Sequence, residues 1–473
     1  MNPRSKKYNV KKALPWIVLS LLILGVAAGL SWYIATREKP DKDALSRIRE
    51  RGYLVALTDK NSLNYFASHG VPKGFQLELL ESFAEYLEVP LSIVVSNDVS
   101  KLDYYLDLHA GDLIALNLPV TGDGKRQVHF SIPLGETRLV LIQRVKGTDK
   151  NSFITNPDDF KGDTILYRKN LFVEPLLTSF ARKIRGNAVL IPETEKNTLE
   201  LIRMVSEKKI NYAICDENMA MVAKRNFRNI DASLVISKFY DYAWATANQS
   251  DSLLNYINDW LKVMKKKELQ QFYMAYYENP GISNCFNSEF CTFTGNKLSP
   301  YDETLRSCGK MIRWDWRLLA SLVYEESNFQ TGLRSSHNAS GLMQLMPETA
   351  RKFGVDSLST PKGQITAGAR YVRYLYDLMP DSLRDPIERM YFTLAAYNVG
   401  IGKVMRAREK AKQNGYNPDK WNGNVDYYLT RKSKKNPSSK ADTVDDLSIY
   451  GKSGGFVDRI MQRYLHYKNL VKE

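Results

Sequence analysis

From Leu318 the chain reads Leu318-Leu319-Ala320-Ser321-Leu322-Val323-Tyr324-Glu325-Glu326-Ser327. At about 100° per residue, Leu319, Leu322, Val323 and Glu326 fall on one face of a helix. A carboxylate thus stands where the pattern asks for an apolar side chain, while Glu325 points to the flank and reads as an ordinary solvated carboxylate. Helical spacing recurs over Arg317 to Ser327, Pro347 to Phe353, Ile365 to Met379 and Pro386 to Tyr397, so the chain from Pro300 onward reads as all-helical. Upstream, from about Leu45 to Tyr277, the pattern alternates. Strand-like runs at Tyr53 to Leu57, Leu91 to Val95, Leu113 to Leu116, Leu139 to Ile142, Thr164 to Tyr167, Ala188 to Ile191 and Tyr212 to Ile214 are separated by helix-like ones. The clearest helices are Phe75 to Leu87, Leu171 to Ile184, Thr198 to Lys208 and Leu253 to Tyr276. Such alternation predicts an α/β domain with largely parallel sheets.

Ahead of both lies an uncharged stretch, residues 13–36, with Trp16 near one end and Trp32-Tyr33 near the other. It is long enough to span a bilayer and is preceded by Arg4, Lys6, Lys7, Lys11 and Lys12 with no acid among residues 1–12. The expectation is a signal anchor in the inner membrane, with a basic cytoplasmic tail and everything after about Arg37 on the periplasmic side. The competing reading is a cleaved signal peptide, with Ala27-Ala28-Gly29 offering small residues and the mature protein peripheral to the outer membrane. No cysteine lies there to carry a lipid. Gly25 and Gly29 form one helix-pairing motif, which is weak evidence by itself.

With 473 residues, 44% of them hydrophobic, the chain accommodates two or three domains with real cores. Its formal charge of +15 suits nucleic acid, anionic lipid or an anionic polymer. Nothing in it reads as a nucleic-acid-binding module, and the basic residues are spread in small clusters such as Lys265-Lys266-Lys267 and Arg431 to Lys435. Of four cysteines, Cys215 falls in a buried strand, and Cys285 with Cys291 is the pair expected to oxidise outside the cytoplasm. Neither the cysteine spacing nor the five histidines fit a metal motif, so no metal and no cofactor are expected.

Burying an unpaired carboxylate costs several kcal/mol unless it keeps its proton, and a protonated carboxyl near neutral pH is what a general acid needs. Glu326 is therefore the candidate acid. The plain alternative is that it pairs with a basic group and does no chemistry. Acid–base chemistry built on carboxylates often pairs two of them with different proton affinities. Between Ser327 and Pro347 there is no Asp or Glu, and Glu348 opens a helix where a first-turn acid is ordinary. A mechanism with one acid is the economical reading.

Glu326-Ser327, Ser335, Gly341-Leu342-Met343-Gln344-Leu345-Met346-Pro347 and Ala396-Tyr397-Asn398-Val399-Gly400, in that order, resemble the soluble lytic transglycosylase domain of the lysozyme superfamily. The resemblance implies that Glu326 protonates the β-1,4 oxygen between N-acetylmuramic acid and N-acetylglucosamine in peptidoglycan. It then takes the proton of the muramic C6 hydroxyl as a 1,6-anhydro ring closes. It further implies substrate contacts at Ser335, Gly341, Met343, Gln344, Tyr397 and Asn398, with Met343 and Gln344 lining the cleft. Asn338 and Thr331 depart from the family pattern, Phe456 occupies the place of a hydroxyl-bearing residue, and Thr430 to Tyr450 reads as an insertion. A hydrolytic muramidase, which would need a second carboxylate or a positioned water, and an inactive wall sensor are the alternatives.

The α/β part carries Gly74-Phe75-Gln76-Leu77-Glu78-Leu79-Leu80, Gly111-Asp112-Leu113-Ile114, His129-Phe130-Ser131-Ile132-Pro133 and Asn211-Tyr212-Ala213-Ile214-Cys215-Asp216. These resemble the two-lobed periplasmic substrate-binding domain of the amino-acid type. In that family an arginine holds the ligand's carboxylate and an acid its amine, which here implies Arg126 and Asp216 around an amino acid or muropeptide. Arg126 stands two residues later than the family spacing. The whole order resembles the membrane-bound lytic murein transglycosylase F family. It implies a tail at 1–12, an anchor at 13–36, a binding domain at 45–277, a linker at 278–299 and a catalytic domain at 300–473.

Overall fold

The computed structural model describes residues 43–472 except 62–63, 97–104, 107, 109, 121–127, 148–152, 171, 249, 265–268, 270–284, 286–287, 294, 357 and 431–454. The expected anchor, Arg126, residues 278–284 at the start of the expected linker and nearly all of the expected insertion lie outside the described residues. Among the described residues no helix is long and apolar enough to cross a membrane.

After α1 (Ala44–Arg51), capped by the Asp43 carboxylate, the first lobe is built on β1 (Leu54–Thr58). All five residues of β1 are buried because parallel neighbours flank it, β4 (Leu91–Val95) on one side and β5 (Leu113–Pro119) on the other. Strands so covered read as continuous apolar runs. Between β1 and β4 come the hairpin β2 (Phe66–Ser68) and β3 (Val71–Lys73) and helix α2 (Phe75–Tyr86). The hairpin turns on His69 and Gly70, both at positive φ, the backbone that a two-residue turn needs to match strand twist. Strands β6 (Val128–Phe130) and β7 (Gly135–Thr137) complete the lobe by pairing antiparallel with the late strand β13 (Tyr240–Ala247).

The second lobe holds β8 (Leu139–Arg144), β9 (Asp163–Arg168), α3 (Glu174–Lys183), β10 (Ala188–Glu193), α4 (Thr198–Ser206), β11 (Tyr212–Asp216), α5 (Glu217–Asn226) and β12 (Ile230–Asp231). Its sheet runs β10-β9-β11-β8-β12, the first three strands parallel and β8 and β12 antiparallel. The chain crosses between lobes twice, from β7 to β8 and from β12 back to β13, before α6 (Asp251–Val263) packs on the first lobe. The expected strands and the α/β alternation are present, but each sheet is completed by antiparallel strands, so the sheets are mixed. β13, central to the first lobe, was not expected. Its sequence Tyr240-Asp241-Tyr242-Ala243-Trp244-Ala245-Thr246-Ala247 mixes large and small residues without a clean period of two, because it is buried on both faces. The expected helix from Leu253 to Tyr276 is described only to Val263, and the one expected from Leu171 begins at Glu174.

A disulfide joins Cys285 to Cys291, and the segment after it lies along β2, with Thr292 N–H donating to the Ala67 carbonyl at 2.9 Å. Among the described residues eight α-helices follow: α7 (Asp302–Ile312), α8 (Trp316–Ser327), α9 (Pro347–Lys352), α10 (Pro361–Asp377), α11 (Pro386–Val399), α12 (Ile401–Gln413), α13 (Tyr427–Thr430) and α14 (Phe456–Leu470). Three of them start on proline, which suits a first helical position because its missing N–H would have no partner there. The core gathers around α8, whose Leu318, Leu319, Leu322 and Val323 are at most 1% exposed.

Candidate active site

Glu326 lies in the last turn of α8, just before Ser327 ends the helix and Asn328 and Phe329 turn the chain sharply at positive φ. The apolar face that buries Leu319, Leu322 and Val323 carries Glu326 to the core's edge, where it is partly exposed. No cation and no hydrogen-bond donor among the described residues meets it. Burial first, and then the charge of Glu325, push its carboxyl up from 4.5 to about 8. The pairing alternative therefore finds no partner here.

Glu325 is a correction to the sequence reading. Its side chain is only 10% exposed and takes Arg459 Nε at 2.6 Å and Arg463 Nη1 at 3.1 Å. Both arginines come from α14, which packs along α8 and also receives the Ser321 hydroxyl at the Ile460 carbonyl, 2.7 Å away. Sequence distance hid this clamp, since nothing local to Glu325 announces partners more than a hundred residues on.

Opposite α8 stands the loop of Gly341 to Leu345, pinned from three helices. From α8, Ser327 Oγ donates to the Leu342 carbonyl at 2.9 Å. From α10, Gln364 Oε1 accepts the Leu342 N–H at 2.8 Å. From α11, the Tyr397 hydroxyl donates to the Met343 carbonyl at 2.6 Å. Gly341 adopts φ +75°, and a Cβ there would come within 2.3 Å of Gln364 Oε1. Only glycine fits.

Tyr397 is the expected site residue closest to Glu326 in effect. Burial and then the charge of Glu326 raise its hydroxyl well above the ordinary tyrosine value, and its ring packs on Tyr371 with centroids 5.2 Å apart. Met343 is placed differently from expectation. It is 1% exposed and packs on Gly368 of α10, so its side chain belongs to the core and only its carbonyl serves the loop. Gln344 folds back, its Nε2 donating to the carbonyls of Leu333 and Gly341 at 3.0 and 2.8 Å. Ser335 Oγ accepts the Ala339 N–H at 3.1 Å and shapes the preceding loop, while Asn398 is exposed near the end of α11. Asp426 and Asp458 form a separate acid pair: burial and then Asp426 raise Asp458 to about 6.

In the two-lobed domain Asp216 ends β11 at the head of α5, and its buried carboxylate accepts the Tyr240 hydroxyl from β13. Burial raises its proton affinity and that hydrogen bond lowers it. Across the cleft between the lobes, Arg168 of β9 meets Asp59 of the first lobe at 3.2 Å, and Asp59 also accepts the amides of Asn61 and Asn64.

Residues 304–420 match the Transglycosylase SLT domain, and residues 54–279 match the Bacterial extracellular solute-binding proteins, family 3. Membrane-bound lytic murein transglycosylase F of Pseudomonas fluorescens (strain Pf0-1) is 31% identical over 423 residues, covering 86% of this chain and 85% of the relative. The protein of the same name from Pseudomonas putida (strain GB-1) is 32% identical over 391 residues, covering 81% and 78%. The chain belongs to the membrane-bound lytic murein transglycosylase F family. Among solved structures, an ancestral arginine-binding protein bound to arginine aligns at 20% identity and a TM-score of 0.41, covering 48% of this chain and 98% of its own. A solute receptor for L-cysteine of Neisseria gonorrhoeae aligns at 19% and 0.42, covering 49% and 92%.

In this family member, sequence reasoning missed Arg459, Arg463, Gln364 and Tyr371. Gln364 carried a usable signal, a polar residue one turn into an otherwise apolar helical face beside Ile365 and Gly368. The others are revealed only by the packing of helices distant in sequence.

Proposed function

We propose that this chain is a peptidoglycan lytic transglycosylase in which Glu326 acts first as acid and then as base on the β-1,4 bond between N-acetylmuramic acid and N-acetylglucosamine, leaving a 1,6-anhydro end. The observation that carries this reading is a half-buried carboxyl that meets no cation among the described residues, beside a second carboxylate locked between two arginines. One group that donates and then accepts a proton works best with a pKa near the operating pH. Glu326 protonates the leaving oxygen and then removes the proton of the C6 hydroxyl as that oxygen bonds to C1, so no water is consumed. Glu325 is unsuited to be the second catalytic carboxylate of a muramidase because both its oxygens are engaged. Gly341, Gln344, Ser335, Tyr397 and Asn398 border the substrate, and the Tyr397 hydroxyl and the loop carbonyls hold the cleft wall. The basic tail and apolar stretch at residues 1–36 support tethering to the inner membrane with the catalytic domain in the periplasm.

The two-lobed domain is read as a sensor for an amino acid or muropeptide. A ligand amine reaching Asp216 would share its carboxylate with the Tyr240 hydroxyl, and a ligand in the cleft would meet the Asp59–Arg168 pair. Titration of the full chain with amino acids and muropeptides tests this, and no binding at millimolar concentration removes the sensor role.

Mass spectrometry of purified peptidoglycan treated with the full chain or with Glu326→Gln tests the activity. Anhydro products, lighter by one water and absent with Glu326→Gln, are expected. Reducing-end products lost in the variant would make the enzyme a muramidase, and no products from either protein would leave only the wall sensor.

A further inference from the structure

We propose that Glu325 is a positioning residue for the chemical step: fixed as an anion between Arg459 and Arg463, it keeps the proton on its neighbour Glu326. The inference rests on reading Glu326 as the acid. Two guanidiniums engage one carboxylate, Arg459 Nε on one oxygen and Arg463 Nη1 on the other, in charge-assisted bonds that fix its place beside Glu326. The Arg463 guanidinium also lies over the Tyr324 ring, 4.4 Å from its centre, so the clamp is braced from below.

Consecutive helical residues diverge by about 100°, so the two carboxyls share no hydrogen bond but remain near neighbours. A carboxylate with both oxygens held by guanidiniums, set beside Glu326, opposes the second ionisation.

The other groups around Glu326 leave this role to Glu325. On α8 there is Tyr324, on α11 Tyr397 and behind it on α10 Tyr371, all with raised proton affinity and neutral at working pH. α14 brings Arg459, Arg463 and Asp458, the last coupled to Asp426. The loop Gly341 to Leu345 has no titratable side chain. α7 meets α8 through Arg306 over the Trp316 ring, at the opposite end of α8, about 15 Å away along the axis. Glu325 is the one like charge that reaches Glu326 among the described residues, adding to the effect of burial.

The test is the pH dependence of kcat/KM on soluble glycan strands for the full chain and its Glu325→Gln, Glu325→Asp and Arg459→Gln variants. Loss of the protonated acid sets the alkaline limb. Removing the Glu325 charge lowers the proton affinity of Glu326, so Glu325→Gln is expected to move that limb toward acid by about half a pH unit, a loss of about threefold on the alkaline side. Glu325→Asp keeps the charge and should restore the wild-type limb. A Gln variant with an unmoved limb, or Gln and Asp variants slowed equally at every pH, would overturn the proposal.

Should Glu325→Gln fail to fold because it leaves the guanidiniums unpaired, the decisive variant is Glu325→Gln in the Arg459→Gln background, since Arg459 is 45% exposed and its loss leaves the core intact. Arg459→Gln alone moves the limb toward alkali whatever Glu325 does, so the limb of the double variant must lie on the acid side of that of Arg459→Gln, and coincident limbs overturn the proposal. Glu326→Gln separates the two claims: if it stays active the acid assignment itself falls, whereas an inactive Glu326→Gln with an unmoved Glu325→Gln limb sinks only this inference.

Discussion

Glu326 is costly to the fold, and the cost has a sign. Its carboxyl titrates at 4.5 in an open chain and at about 8 in the folded one. Between those values the folded state binds a proton that the unfolded state has released, so stability falls as pH rises through the window. At pH 7 the deficit is about 3 kcal/mol. Glu326→Gln, which ends catalysis on the proposed reading, should therefore be more stable than the wild type by up to about 3 kcal/mol at pH 7 and by almost nothing at pH 4.5. Denaturant unfolding at the two pH values checks it, and an equal gain at both would point to packing instead of ionisation. This residue was legible in the sequence because periodicity is a local property: a glutamate on the apolar face of a ten-residue run needs no partner to be noticed. Glu325 was misread for the same reason, since its environment is made by Arg459 and Arg463 on a helix that only the tertiary fold brings alongside.

At the scale of elements, the short loop Gly341 to Leu345, proposed above as a wall of the substrate cleft, has little regular structure to hold it. Its stability comes from side chains of three helices, with Ser327, Gln364 and Tyr397 each bonding its backbone. Gly341→Ala forces a Cβ to within 2.3 Å of Gln364 Oε1 at φ +75°. The expected cost is about 1–3 kcal/mol, together with a loss of rate at temperatures where the variant is still fully folded. Gln364→Leu removes the acceptor of the buried Leu342 N–H and should cost about 1–3 kcal/mol. Thermal melts with initial rates on the folded proteins check both; a Gly341→Ala enzyme with wild-type melting and rate would show that the loop tolerates the strain. Starts of helices were well marked in the sequence by Pro347 and Pro386, and strands β1, β4 and β5 by their unbroken apolar runs. β13 and the hairpin β2–β3 were not, because one is covered on both faces and the other is only three residues a strand.

At the scale of the whole molecule, α14 is the strut between the two domains. One side runs along α8, from the Glu325 clamp to Arg317 Nη1 at the Val471 carbonyl, 2.9 Å away. Its other side meets the first lobe. The Tyr467 hydroxyl donates to the Gly70 carbonyl at 2.6 Å, Asn469 Nδ2 to the Ile93 carbonyl at 2.7 Å, and Lys60 Nζ to the Leu470 carbonyl at 2.8 Å. His466 Nδ1 lies 2.7 Å from the Tyr65 hydroxyl, within hydrogen-bond distance. Gly70 sits beneath Tyr324, Phe329 and Tyr467, where any Cβ would meet side-chain atoms within 2.8 Å, so the hairpin turn is fitted directly against α8 and the turn that follows it. None of this could be read from the sequence, in which the two domains are separate patterns.

The interface makes the union of domains sensitive to acid. Burial, and then the charge of Arg463, lower His466 from 6.5 to about 4. Between those values the unfolded chain binds a proton that the folded one refuses, so stability is lost as pH falls from 6.5 toward 4, by at most about 3 kcal/mol. Glu326 works in the opposite direction over part of the same range, so the two must be separated by mutation. In His466→Gln the Tyr65 hydroxyl keeps an acceptor but the titrating ring is gone, and the slope of stability against pH between 4 and 6.5 should flatten. Unfolding of the wild type, His466→Gln and the double variant with Glu326→Gln across that range checks it. An unchanged slope in His466→Gln would mean that acid acts on the cores and not on the strut that joins them.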